Sequence, residues 1–566
     1  MSYERVMDEY FPHPKLRREN TIILSGLWDY TIIKEKEFND NLLNDLKYLG
    51  KICVPYPIES KLSKVNYSLK RDELLIYHLE FNLEINDLNT ILNFGAIDNH
   101  ARIYLNNHYI GEHIGGYLAF NFDISDYIKE KNDLYVVVSD KLDYKYPYGK
   151  QSKKSHGIWY TKISGIWKSV FIERVPKSYI TNIKMDTSVD NQELRLKFSQ
   201  IGDFNKKISI YKHDELIKEI ESADLDIIIK FDELTLWTPE TPVLYDILIE
   251  TPYEKVKSYC NFYKIELKEY NQHLVFHLND KPYFLHGLLD QGYYEGGIFV
   301  PSSLKEIEDD FIIIKHLGFN TLRKHIKVEE EYYYYLCDKM GFLVWQDMVN
   351  NLPYSFFFDS ALPTIGLKNF SPKIRLYPTS AKSFFTRHCL EIQNQLYNYK
   401  CVMLYTIFNE GWGEHNVKHN YELLKNNDPT RFYDVCSGWF KKKYSLFDSR
   451  HIYFKPFKVG KIGKNQALIL SEFGGYSLYL KNHCHFDKPF GYKKMKDFDE
   501  FNQEIRELYF NEIIPALPNG LAACIYTQLS DVENEINGLI TYDRQVVKLR
   551  DDVASEISKE LKFKNK

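Results

Sequence analysis

Residues 401–413, Cys-Val-Met-Leu-Tyr-Thr-Ile-Phe-Asn-Glu-Gly-Trp-Gly, constrain this chain more than any other stretch. From Val402 to Phe408 there is no charge and no breaker, which reads as a strand buried on both faces. The strand ends on Asn409-Glu410 and breaks at Gly411. A second stretch repeats the plan: Ala467-Leu468-Ile469-Leu470 runs into Ser471-Glu472, then Phe473-Gly474-Gly475. With 78 Asp and Glu in the chain, two glutamates alone carry no weight. Their position does, because a charge where a buried strand stops must be functional, paired or costly. Barrel enzymes keep their chemistry at the C-terminal ends of such strands, and two carboxylates are the minimum equipment for glycoside hydrolysis.

From about residue 269 onward, strands alternate with helices, the pattern of parallel β/α units. Residues 283–287, 319–323, 342–346, 402–408, 432–436, 451–453, 467–470 and 521–526 supply eight strands. That is the number that closes a (β/α)8 TIM barrel, here over 269–566. Ser303 with Glu306 reads as a capping box, opening a helix with the stripe Leu304, Ile307, Phe311 and Ile314, stopped at Gly318. Residues 1–177 read as a β-sandwich, with strands at 76–83 and 134–138. In it 100–105 turns at Asn106-Asn107 into 108–110, a hairpin signal. Residues 178–268 read as a second, smaller sandwich, in which 194–198 alternates and Pro239 and Pro242 mark an edge or turn. It shows no chemistry, and a spacer role is expected.

The net charge of −5 offers no basic field for nucleic acid or an anionic membrane. No run approaches the 18 apolar residues of a membrane span, and the charged start, Met1 to Glu9, lacks the apolar core of a signal peptide. Eight scattered cysteines without Cys-x-x-Cys read as reduced thiols, which points to a cytoplasmic protein. The aromatic share of 16% suits sugar stacking, but drift toward Lys, Asn, Ile and Tyr explains it as well and is favoured. His483-Cys484-His485 does not match zinc spacings, so no metal and no cofactor is expected.

Thr406-Ile407-Phe408-Asn409-Glu410-Gly411-Trp412-Gly413 resembles the acid/base segment of the family 2 glycoside hydrolases, the β-galactosidase, β-glucuronidase and β-mannosidase group. Ser471-Glu472-Phe473-Gly474-Gly475 resembles its nucleophile segment, and the 62-residue gap suits it. Phe94 to Asp98, Gly111 to Tyr117, Pro147-Tyr148-Gly149-Lys150-Gln151 and Ser164-Gly165-Ile166-Trp167 resemble markers of the family's N-terminal jelly roll. The segment 236–242 resembles the end of its immunoglobulin-like domain. The resemblance thus implies a jelly roll, an immunoglobulin-like sandwich and a TIM barrel, without the further C-terminal domains of larger relatives. It makes Glu472 the nucleophile and Glu410 the acid/base. Asn409 resembles the residue that bonds the sugar 2-hydroxyl, Arg323 the arginine that keeps the nucleophile ionised, and Tyr453 the tyrosine beside it.

Other strand ends supply candidates for holding sugar hydroxyls: Asp290, His325, Asp347, His451 and Gln528, with Trp412 from the acid/base segment. Here Lys324-His325-Ile326-Lys327 stands where relatives often have Ser-His-Tyr-Pro. Asp98 and His113 are weaker candidates from the jelly roll, since a loop of that domain helps close the site in relatives. The expected function is a retaining exo-β-glycosidase acting on carbohydrate, galactosides first. β-Glucuronides, β-mannosides or arabinosides are the alternatives, and a dead barrel that only binds carbohydrate is the rival from another class. No Asn-x-Lys suited to a glucuronate carboxylate stands in the family's usual place. Self-association stays open.

Overall fold

The computed structural model describes residues 10–364, 377–453, 455–485 and 489–563. The first sandwich sets a six-stranded sheet (centred on Glu73–Asn82 and Lys131–Ser139) against a four-stranded one (centred on Asn89–Phe94 and Val170–Val175). Inward residues of both sheets, among them Trp28, Tyr77, Leu92, Ile103, Val136 and Ile172, form its core. The hairpin read from Asn106-Asn107 joins His100–Leu105 to His108–Ile114. Both turn residues have positive φ, at 52° and 68°, as a type I′ turn demands and asparagine tolerates.

The second sandwich pairs a five-stranded sheet with a three-stranded one around Ile183, Leu196, Ile208, Tyr245 and Phe262. One of its five strands, Arg17–Arg18, comes from the start of the chain and pairs with Lys257 and Val256. Arg18 then bonds Glu173 and Glu254, both at 2.8 Å, and so ties the two sandwiches together through a buried ion-pair network. A spacer built this way is rigidly joined to its neighbour.

The barrel has eight parallel strands: β1 (Leu285–Asp290), β2 (Thr321–Lys324), β3 (Leu343–Asp347), β4 (Val402–Asn409), β5 (Phe432–Ser437), β6 (Phe447–Ile452), β7 (Ala467–Gly474) and β8 (Leu521–Thr527). The hydrogen-bonded order is β5-β4-β3-β2-β1-β8-β7-β6, so the ladder runs round the barrel and leaves β5 and β6 unjoined. Across that seam Ser449 Oγ donates to Asp434 Oδ2 at 2.7 Å and shares a hydrogen bond of 2.6 Å with Ser471 Oγ on β7. Burial lifts the Asp434 carboxyl to about 6.

Three details differ from the sequence reading. β6 begins at Phe447, not 451, because its early residues Asp448 and Ser449 are polar yet buried, which hides the strand from a hydrophobic pattern. The helix Leu304–His316 is capped from Ser302: Glu306 accepts from its backbone N–H and its hydroxyl, while Ser303 makes no side-chain cap. A three-stranded hairpin sheet (Ile265–Tyr270, His273–Leu278 and Lys281–Pro282) precedes β1. Its Val275, Phe276 and Leu278 plug the barrel bottom against Leu285, Trp345, Leu404 and Ile525.

Candidate active site

The strand ends at the top of the barrel converge on Arg323, which is fully buried at the end of β2. Its Nη1 bonds Glu472 Oε1 at 2.9 Å and the Ser471 carbonyl at 3.0 Å. Nη2 bonds Asn409 Oδ1 at 2.9 Å and Ser437 Oγ at 3.2 Å, and Nε bonds Asp347 Oδ1 at 3.0 Å. One planar guanidinium thereby fixes side chains from β3, β4, β5 and β7. Desolvation by itself would lower the Arg323 pKa, but Asp347 and Glu472 outweigh it and raise it, so the cation persists at every working pH.

Glu472 is 5% exposed. Burial alone would raise its carboxyl, but His451, Arg323 and the Tyr453 hydroxyl bonded to Oε2 bring it well below the usual carboxylate range. Asp347 is held down in the same way by Arg323 and His325 against its burial. His325 itself is pushed down by burial, so it stands as a neutral imidazole donating Nδ1–H to Asp347 Oδ2 at 2.7 Å. The Asn409 amide oxygen accepts from both Arg323 and Ser437, which fixes the flip of the amide and leaves the amino group uncommitted to that network.

Glu410 takes an unusual backbone, with φ at +52°, in the left-handed region that disfavours side chains by about 1 kcal/mol. The turn swings its carboxylate over the barrel mouth, where Oε1 bonds His451 Nδ1 at 2.8 Å. The same nitrogen lies 3.5 Å from Glu472 Oε2. A carboxylate oxygen of each glutamate and a ring nitrogen of His451 all lie within 4.8 Å of one another. Gly438, at φ +84°, makes room there, since a Cβ would sit 3.2 Å from His451 and 3.4 Å from Glu410. His451 Nε2 makes no hydrogen bond.

A cleft of about 980 Å³ opens above this cluster, with Glu410 and Tyr453 in its wall. Its other walls come from Tyr354 and Phe356 after β3, Trp439 after β5, and Phe490 and Tyr492 after β7. The first sandwich contributes Tyr144, Tyr148, Gln151, Ser152, His156 and Trp159. That loop is pinned to the barrel: Tyr148 N and Gly149 N donate to the Asn350 carbonyl, and Tyr148 OH to that of Leu352 at 2.9 Å.

Five residues named as site candidates are occupied elsewhere. Asp290 accepts from Lys324, Tyr333 and Gly292 in a sealed network. Gln528 is fully buried between Asn537 and Gln291. Trp412, 2% exposed, carries the pinned loop from below, with its ring 5.1 Å from that of Trp159 and its Nε1 bonded to the Leu352 carbonyl. His113 stacks on Phe120, away from the barrel strands. Asp98 lies behind the cleft and orients Gln151 through a 2.8 Å bond. The ring of Tyr453, by contrast, stacks on Tyr492 at 4.4 Å and its hydroxyl reaches Glu472, the place the family resemblance implied.

Sequence reasoning missed Ser437, which ends β5 in no recognised motif, and the irregular segment after β8. In that segment Glu535 accepts from Tyr160 OH of the first sandwich and, at 3.0 Å, from Asn537. Among the described residues, two sets of donors are spaced for a divalent ion: Glu410, His451 and Glu472 in the site, and His78, Glu80 and Asp133 on the first sandwich. In the site the Arg323 guanidinium already occupies Glu472 and would oppose a second cation.

Residues 24–176 match the glycosyl hydrolases family 2 sugar binding domain, and residues 270–455 match the glycosyl hydrolases family 2 TIM barrel domain. A putative beta-glucuronidase of Formosa agariphila is 27% identical over 395 residues, 66% of this chain and 44% of that protein. A beta-galactosidase of Thermoanaerobacterium thermosulfurigenes is 26% identical over 337 residues, 54% of this chain and 42% of its own length. The chain thus spans less than half the length of these relatives. In fold it is similar to a beta-glucuronidase of an uncultured Clostridium species, with a TM-score of 0.74 at 17% identity, covering 97% of this chain and 99% of that one. The two domain matches together take in more than half of the residues, and the chain belongs to glycosyl hydrolase family 2.

Proposed function

We propose that the chain is a retaining exo-β-glycosidase in which Glu472 is the nucleophile and Glu410 the acid/base. The spacing of the two carboxylates carries this reading. Oxygens within 4.8 Å suit a retaining pair, whose carboxyl groups lie about 5–5.5 Å apart, and leave no room for the water that separates an inverting pair by about 6.5–9.5 Å. Electrostatics divide the labour. Glu472, ionised beside Arg323 and steadied by Tyr453, attacks the anomeric carbon while Glu410 hands its proton to the departing oxygen. Once the glycosyl-enzyme has formed, Glu410 takes a proton from water, and the sugar leaves with its β-configuration.

The Asn409 amino group, with its oxygen tied to Arg323 and Ser437, bonds the 2-hydroxyl, a contact that strengthens in the transition state. His325 presents a neutral ring to a further hydroxyl. The aromatic walls stack on the sugar and its aglycone, and the loop of the first sandwich supplies part of the wall around them. Proton NMR of a fresh hydrolysis tests the reading: the β-anomer should appear first. Initial α-product would remove Glu472 from the nucleophile's role.

A further inference from the structure

A single N–H stands between the two carboxylates. His451 Nδ1 lies 2.8 Å from Glu410 Oε1 and 3.5 Å from Glu472 Oε2, and the side chain is wholly buried. Nε2 has no hydrogen-bond partner among the described residues, so the ring proton belongs on Nδ1, where two acceptors face it. Four other groups bear on this spot from the strands around it. Asp434 of β5 interacts with His451, while Arg323 of β2, His325 just after it and Tyr453 just after β6 act on Glu472. Trp439 packs edge-to-face on the imidazole at 5.6 Å, and Gly438 leaves it room, since a Cβ there would sit 3.2 Å from Nδ1. The ring is thereby held from outside the pair it serves.

The proposed reaction moves one negative charge across that N–H. At the outset the charge is on Glu472 and Glu410 carries the proton, which sits on Oε2 because Oε1 accepts from Nδ1. In the first step a Glu472 oxygen bonds the anomeric carbon, the bond from that carbon to the leaving oxygen breaks, and the Glu410 proton passes to that oxygen. Glu472 is then a neutral ester and Glu410 a carboxylate. In the second step Glu410 takes a proton from water, the water oxygen bonds the anomeric carbon, and the ester bond breaks to restore the Glu472 carboxylate. The pair carries one negative charge at each stage, and only its place changes. A donor fixed between the two meets the charge in either place without moving, which spares the cost of reorganisation. A donor to one glutamate alone would favour only half of the cycle. Against the burial that raises it, His451 leads the groups that pull the Glu472 carboxyl down.

We infer that His451 is a positioning residue that shares one N–H between acid/base and nucleophile and serves whichever of them carries the charge. The inference rests on the glycosidase reading and adds a third side chain to its pair.

Proton NMR of the whole chain labelled with 15N-histidine tests it without depending on turnover. A buried imidazole N–H on a carboxylate gives a low-field signal, and His325 on Asp347 supplies a reference. The His451 signal is the one lost in His451→Phe, where the persisting His325 signal shows that the barrel folds. It should survive in Glu410→Ala and in Glu472→Ala alike. Its loss in either variant, or its absence from the wild type, overturns the shared donor. Kinetics on aryl β-glycosides give a second readout. His451→Phe should lower kcat by about 10²–10³-fold with KM little changed. The acidic limb of kcat/KM should move to higher pH as Glu472 loses its donor. His451→Asn, which keeps an N–H near the place of Nδ1, should recover part of both. An unmoved acidic limb, or a loss confined to KM, overturns the inference. The two readings fail separately. A signal that survives in both alanine variants with no hydrolysis of any aryl glycoside removes the glycosidase and leaves the shared N–H, whereas β-product with the signal lost in one variant does the reverse.

Discussion

At the scale of single residues, the two glutamates differ in what their loss should do. Acid assistance matters in proportion to how poor the leaving group is, whereas the nucleophile is needed for every substrate. Glu410→Ala should lose about 10²–10⁴-fold on alkyl glycosides yet keep much of the first step on dinitrophenyl glycosides. Azide should rescue it and give a β-glycosyl azide. Glu472→Ala should be inactive on both, and azide there should give the α-product. Kinetics on the two leaving groups and NMR of the azides check this, and a reversed azide stereochemistry would exchange the roles. His451 stands between the carboxylates with one nitrogen for both, so it belongs with the pair more than with the sugar.

At the scale of elements, the site depends on one loop and one seam. Gly149→Ala should push the pinned loop off the Ile326 carbonyl and lower kcat/KM by about 10²-fold, the usual effect of a misplacement near 1 Å, while far-UV circular dichroism stays unchanged. The seam has a pH signature. Asp434 holds its proton more tightly folded than unfolded, with its carboxyl lifted from 3.8 to about 6, so stability falls as pH rises from about 4 to about 6. Asp434→Asn should therefore gain about 2–3 kcal/mol at pH 7 and nothing at pH 3.5, read from denaturation midpoints at the two values. These elements also mark what the sequence could reveal. β4 and β7 were plain because each is largely apolar up to one polar residue before its glutamate, so position marked Glu410 and Glu472, and the family resemblance supplied their roles and that of Asn409. Arg323, Asp347 and Tyr453 lay at other strand ends of the same pattern. Asp290, Gln528 and Trp412 shared that position but turn into buried networks, and strand ends do not tell which way a side chain is committed.

At the scale of the whole molecule, the cleft is a joint product of two domains, with the first sandwich closing what the barrel begins. The unjoined β5 and β6 then acquire a further meaning. Glu410 stands on β4 and Glu472 on β7, so the short way round the barrel from one to the other passes over the gap. Every other neighbouring pair of strands is laced by backbone bonds, and here one hydroxyl, that of Ser449, bonds one carboxyl, that of Asp434, across the gap. Hydrogen exchange should show it, with outward amides of β5 and β6 exchanging faster than those of β1 and β8, and equal protection all round would contradict it. The barrel thus resembles a collar left open by one stitch, with a reacting carboxylate on each side of the opening. In the proposed reaction, a sugar held by both glutamates is the missing stitch.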